Sequence, residues 1–218
     1  MLTKNFDLLR QRVKEHIASD SLIQKKYWDS FNHKGCFIGC LAHSVYPEDN
    51  EETYGLPVEV QRLAESIFEK LPITDAKAFF AAFPDAVECD GKDLSKVHWR
   101  FMASELRSIP PQTAKIQGYV DRVIWGMDLL ASGKEWVAAE FTDFTCNPAT
   151  AAAMCASRTA SRAKYGESIS FSPLTANIFC CNISDCHGDA YSESLLRQRD
   201  NLLRLIKRAP VLEETSNA

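Results

Sequence analysis

Hydrophobic residues recur along this chain at steps of three and four, and each run with that period predicts an amphipathic helix. Phe6, Leu9, Val13 and Ile17 share one face, with Arg10, Lys14 and Glu15 outside it, which predicts a helix over 6–19. Val60, Leu63, Ala64, Ile67, Phe68 and Leu71 form a second stripe, entered at Pro57 and stopped at Pro72. Ala76, Phe79, Phe80 and Phe83 predict a short helix capped by Thr74 or Asp75 and ended by Pro84 and the Asp90-Gly91 turn. Leu94, Val97, Phe101 and Leu106, flanked by Trp99 or Met102, predict a helix over 93–108 that Pro110-Pro111 cannot prolong.

Ile116, Val120, Val123, Ile124, Met127 and Leu130 continue the period over 113–132 until Gly133. The alanine-rich run 149–164 predicts another helix, with Arg158, Arg162 and Lys164 on its exposed face. The last helix carries Leu195, Leu196, Leu202, Leu203 and Ile206, opens at Asp189 or Ser192 and closes at Pro210.

The remaining segments lack a clean period. Leu22, Ile23, Tyr27, Trp28 and Phe31 read as a short helix leading into a loop at 32–35, and the polar stretch 46–52 reads as a surface loop. Trp136 to Phe144 reads as continuing helix, and Ser168 to Ser172 alternates like a strand but has no evident partner, so it reads as loop. The expectation is an all-α, compact bundle of seven or eight helices with an irregular segment near 165–187. One helical domain over 1–210 and a polar tail over 211–218 complete it.

Composition narrows the classes of function. The chain has 218 residues, 45% of them hydrophobic and 25% charged, and a net charge of −4 that weighs against general nucleic-acid binding. Apolar runs stay short of the roughly 18 residues of a membrane span, and the charged amphipathic N-terminus lacks a signal-peptide core. A cytoplasmic protein without a membrane partner is expected. Its eight cysteines are then expected to be free thiols rather than a disulfide framework.

Lys34-Gly35-Cys36-x-x-Gly39-Cys40-x-x-His43 is followed by Tyr54-Gly55-Leu56-Pro57 and by Leu63-x-x-x-Ile67-Phe68-Glu69-x-Leu71-Pro72. This order resembles an uncharacterised family of helical, often alanine-rich phage and bacterial proteins with a KGCxxGCxxH segment. The likeness spans about residues 30 to 130 and, more loosely, the C-terminal leucine helix. It departs at SISFSPLTANIFCC, where those proteins have long alanine-rich stretches. The resemblance implies a helical architecture and a phage origin, and it brings no activity or catalytic residue.

The segment 33–43 carries the richest chemistry. His33, Cys36, Cys40 and His43 give the set H-x2-C-x3-C-x2-H, whose thiolate and imidazole groups suit zinc. Structural zinc sites gather separated pairs across turns, so the favoured reading has the glycines admitting a close neighbour and the cysteines acting as small apolar groups. A helix beginning near Gly35, with Lys34 and His33 beside it, would alternatively receive a phosphate or carboxylate. Cys180, Cys181, Cys186 and His187, with Cys146 and Cys155, form a second thiol-rich set read as buried or adventitious. Arg100 projects from mid-helix as an exposed arginine or a pocket ligand, and the basic set Arg197, Arg199, Arg204, Lys207 and Arg208 reads as a solvated face.

No G-x-S-x-G, H-E-x-x-H, G-x-G-x-x-G or Walker A pattern occurs, so no cofactor and no catalytic residue are expected. The expectation is a non-enzymatic binding protein that sequesters a phosphate-bearing anion or inhibits a host protein. Its ligand would meet His33, Lys34, Gly35, Cys36, His43 and Arg100. A metal- or thiol-dependent enzyme using the same segment and a purely structural module are the alternatives.

Overall fold

A computed structural model describes residues 1–137, 148–164 and 189–212. Among these residues the chain is helical apart from one two-stranded hairpin, so the all-α architecture read from the periodicity is the observed one. The helices are α1 (Phe6–Ala18), α2 (Phe37–Ala42), α3 (Pro47–Tyr54), α4 (Val58–Phe68), α5 (Ile73–Val87), α6 (Val97–Arg107), α7 (Ala114–Ala131), α8 (Pro148–Lys164) and α9 (Asp189–Lys207). The strands β1 (Trp28–Asp29) and β2 (Lys34–Gly35) pair antiparallel, Trp28 opposite Gly35. No helix among the described residues is long and apolar enough to cross a membrane.

The chain, expected as one domain over 1–210, groups into two compact units, Met1–Val97 with Arg199–Ala218, and His98–Gln198. In the first, Phe37 of α2 is fully enclosed, its ring 5.4, 5.3 and 5.0 Å from the rings of Phe79, Phe80 and Phe83 on α5 and 6.1 Å from that of Phe68 on α4. Removing such a ring costs about 3–5 kcal/mol, so this cluster fixes α2 against α4 and α5. In the second unit, α7 packs on α8; Val120, Val123 and Met127 are buried on α7, and Ala149, Ala152, Ala153, Ala156 and Ala160 on α8.

Four segments depart from the expectation. Residues 46–52 are not a loop, because α3 buries Pro47, Asn50 and Tyr54 along one side. The buried Asn50 carries no hydrophobic signal; it donates to Gln61 Oε1 at 2.9 Å, and Gln61 donates to the carbonyls of Pro47 and Leu56. Residues 22–31 form the hairpin and its approach instead of a short helix, because Ile23 N–H donates to Gly35 O and Gly35 N–H to Ser21 O, binding this stretch to β2.

Pro84 does not end α5. The helix runs three residues further, burying Ala86 and Val87, before Glu88 turns with φ 67°. Trp136 and Val137 follow α7 outside any helix, while 138–147 lie outside the described residues. The same holds for 165–188, including the alternating Ser168–Ser172 run and the cysteines at 180, 181 and 186. At the C-terminal end, Val211 bridges Lys92 and Leu212 N–H donates to Gly91 O, so the segment read as tail begins in backbone pairing.

Candidate functional site

The glycines of the 33–43 segment serve packing. A Cβ on Gly39 would lie 1.6 Å from Tyr27 O, and one on Gly35 would lie 2.3 Å from the same atom. The two glycines therefore form a notch for the Tyr27 carbonyl, which also accepts Cys36 N–H at 3.1 Å. This contact presses the residues before β1 onto the start of α2. Phe37, Ile38 and Cys36 are buried there, so the start of α2 is closed to a solvent anion, unlike the open helix start expected.

The notch turns the neighbouring side chains apart. Cys36 Sγ donates to Glu65 Oε1 of α4 at 2.9 Å, whereas Cys40 Sγ donates to Gly35 O at 3.2 Å. His33 and His43 point elsewhere, toward Trp28, with ring centroids 6.2 and 4.6 Å from the indole. The set H-x2-C-x3-C-x2-H is thus divided among three surroundings. Burial raises both thiols, Cys40 to about 12, and Glu65 adds to the rise at Cys36, so neither is poised as a nucleophile. Cys36, Cys40, Cys89 and Cys155 are all free thiols.

The histidines gather around a residue that the sequence reading passed over. His16, buried on α1, places Nε2 2.8 Å from His43 Nε2 and Nδ1 2.5 Å from Ser21 Oγ. Ser21 Oγ donates to His16 O, so it receives the proton of Nδ1, and His16 Nε2 then accepts from His43 Nε2–H. Trp28 stacks nearly parallel on His43, at 10°, and meets His16 edge-on at 5.9 Å. His33 and His43 both hold left-handed backbone, φ 51° and 55°, one in the hairpin turn and one capping α2.

Charge accumulates at this cluster. Burial first, then the charge of His43 and of Arg12, lowers the pKa of His16 to about 4, against Glu15. Burial also lowers His43, helped by Arg12 and His33, again against Glu15. Arg12 is anchored beside the pair by donating to Leu41 O at 3.3 Å. His33, Lys34 and His43 are exposed, as are Tyr27, Tyr46 and, at 90%, Phe31 in the hairpin turn.

Of the expected ligand residues, His33, Lys34 and His43 face solvent, while Gly35 and Cys36 are enclosed. Arg100 is exposed on α6 in the other unit, next to the buried Trp99. Sequence reasoning missed His16, Arg12, Trp28, Glu65 and Glu69. The available signal was polarity on an apolar face: His16 stands three residues after Val13 in the buried row Leu9, Val13, His16, where Ile17 had been placed, and Ile17 is exposed. Gln61 and Glu65 stand on the buried face of α4 in the same way, four residues apart, with the half-buried Glu69 at its C-cap four residues on.

Comparison with known proteins adds no relative. No family model, curated protein or solved structure matches the chain.

Proposed function

We propose that this protein is a non-enzymatic binding protein that captures a phosphate-bearing, nucleotide-like anion at the surface formed by His33, Lys34, Trp28 and His43. The observation that carries the reading is the crowding of Arg12, His33 and His43 around buried His16: Arg12 and His43 disfavour a proton on His16, and Arg12 and His33 disfavour one on His43, with Glu15 as the opposing charge. A bound anion relieves that repulsion and favours the protonated imidazoles. The exposed rings of Phe31, Tyr27 and Tyr46 on the same hairpin and adjoining loop offer apolar faces for a planar base.

Mass spectrometry of small molecules released from the purified protein tests this directly, followed by calorimetry with ADP and with inorganic phosphate. A phosphate-bearing compound is expected, with proton uptake on binding and tighter binding below neutral pH. Lys34→Ala should weaken binding about tenfold, the scale of one charge-assisted hydrogen bond, while leaving thermal stability nearly unchanged. Equal affinity of the Lys34→Ala protein and the parent at matched salt would overturn the reading.

A further inference from the structure

A second site lies where the start of α2 meets the end of α4. The sulfur of Cys36 and one oxygen each from Glu65 and Glu69 all lie within 4.8 Å of one another. Cys36 is 1% exposed and Glu65 8%. Among the described residues the hydrogen-bond partner of Glu65 is the Cys36 thiol, and no Lys, Arg or His forms an ion pair with it. Burial raises the Glu65 carboxyl, aided by the charge of Glu69, and only the Cys36 thiol and the more distant charge of Arg62 act against that rise, so a cation held directly by the carboxylate would stabilise its ionised form.

The surroundings favour a cation over a proton donor. Glu65 and Glu69 are one turn apart at the C-terminal end of α4, the negative end of the helix dipole. Glu69 accepts Lys25 N–H on Oε2 at 2.6 Å, which leaves Oε1 for another partner. Gln24 fastens the same helix end by donating to Phe68 O and Leu71 O at 2.7 and 2.8 Å.

We propose that Cys36 Sγ and the carboxylates of Glu65 and Glu69 form a zinc site, with water in a fourth position on the half-buried Glu69 side. The thiolate selects a borderline-soft ion over Mg²⁺ or Ca²⁺, while the carboxylates complete a tetrahedral set with one open place. Bonds of about 2.3 Å to sulfur and 2.1 Å to oxygen would replace the 2.9 Å hydrogen bond between Cys36 and Glu65. Binding forms the zinc–sulfur bond and breaks the Cys36 S–H bond, releasing that proton to solvent. The site stands beside the anion-binding reading and does not depend on it.

The test uses the full chain stripped of metal. Calorimetry with zinc should give one ion per chain, with heats that change with buffer in the sense of proton release. Cobalt(II) should produce the near-ultraviolet charge-transfer band of a cobalt–sulfur bond. Cys36→Ala should abolish that band. Glu69→Gln, at a half-buried position, should weaken zinc about tenfold or more without shifting the melting temperature of the metal-free protein. Absence of stoichiometric zinc binding would overturn the proposal, and so would cobalt binding without the sulfur band. Parent-like affinity in Glu69→Gln, or binding that survives Cys36→Ala and disappears in His43→Ala, would overturn it equally.

Discussion

His16 and His43 face each other through their Nε2 atoms at 2.8 Å, so a single proton serves both nitrogens. Protonating His16 as well would set two N–H groups against each other inside a buried contact. With its pKa lowered from 6.5 to about 4, the folded state binds fewer protons than the unfolded chain between those values. The stability present above pH 6.5 is therefore lost as pH falls toward 4, by on the order of 1–3 kcal/mol. Urea denaturation at pH 7 and pH 5 measures this loss, and His16→Gln should flatten the difference. An unchanged pH slope in that variant would assign the effect to other groups.

Gly39 tolerates no side chain. A Cβ there would overlap Tyr27 O, a backbone atom tied into the hairpin, so Gly39→Ala should destabilise the protein by about 3 kcal/mol or more. Gly118→Ala on α7 is the contrast: nothing lies within 4 Å of its added Cβ, and a gain of about 0.5–1 kcal/mol is expected. Thermal melting of the two variants should move in opposite directions.

Lys92 is a buried cation with a defined task. Its Nζ donates to Ala86 O and Lys207 O at 3.2 and 3.0 Å and pairs with Glu88 at 2.9 Å, closing the C-terminal ends of α5 and α9 together. Lys92→Met keeps the volume but leaves the two carbonyls without their donor, at a cost of about 2–4 kcal/mol. A denaturation midpoint equal to that of the parent would show that these contacts contribute nothing net.

Thiol reactivity should divide by burial. Of the four described cysteines, native protein is expected to alkylate the half-buried Cys89 and Cys155 before Cys36 and Cys40, whose burial raises their thiol pKa and slows them well below their rate in the unfolded chain. After denaturation without reductant, all eight cysteines should label. Rapid native labelling of Cys36 would contradict its enclosure beside Glu65.

Much of this architecture was legible from the period of apolar residues alone. The stripe Val60 to Leu71 is buried at every predicted position, and Val120, Val123 and Met127 emerge as the core face of α7, because a helix that must hide one side repeats its apolar residues every turn. That signal fails where the buried residue is polar, as with Asn50 in α3, or where packing extends a helix past a proline, as at Pro84 in α5. The residues of the candidate site lay further from reach. Local spacing grouped His33, Cys36, Cys40 and His43, but a carbonyl lodged between Gly35 and Gly39 rotated them to different neighbours. Which side chain met His16, 27 residues before His43, or Glu65, 29 residues after Cys36, was decided only when the helices packed. Periodicity records which face of a helix is hidden; the identity of what covers that face belongs to contacts between segments distant in the chain.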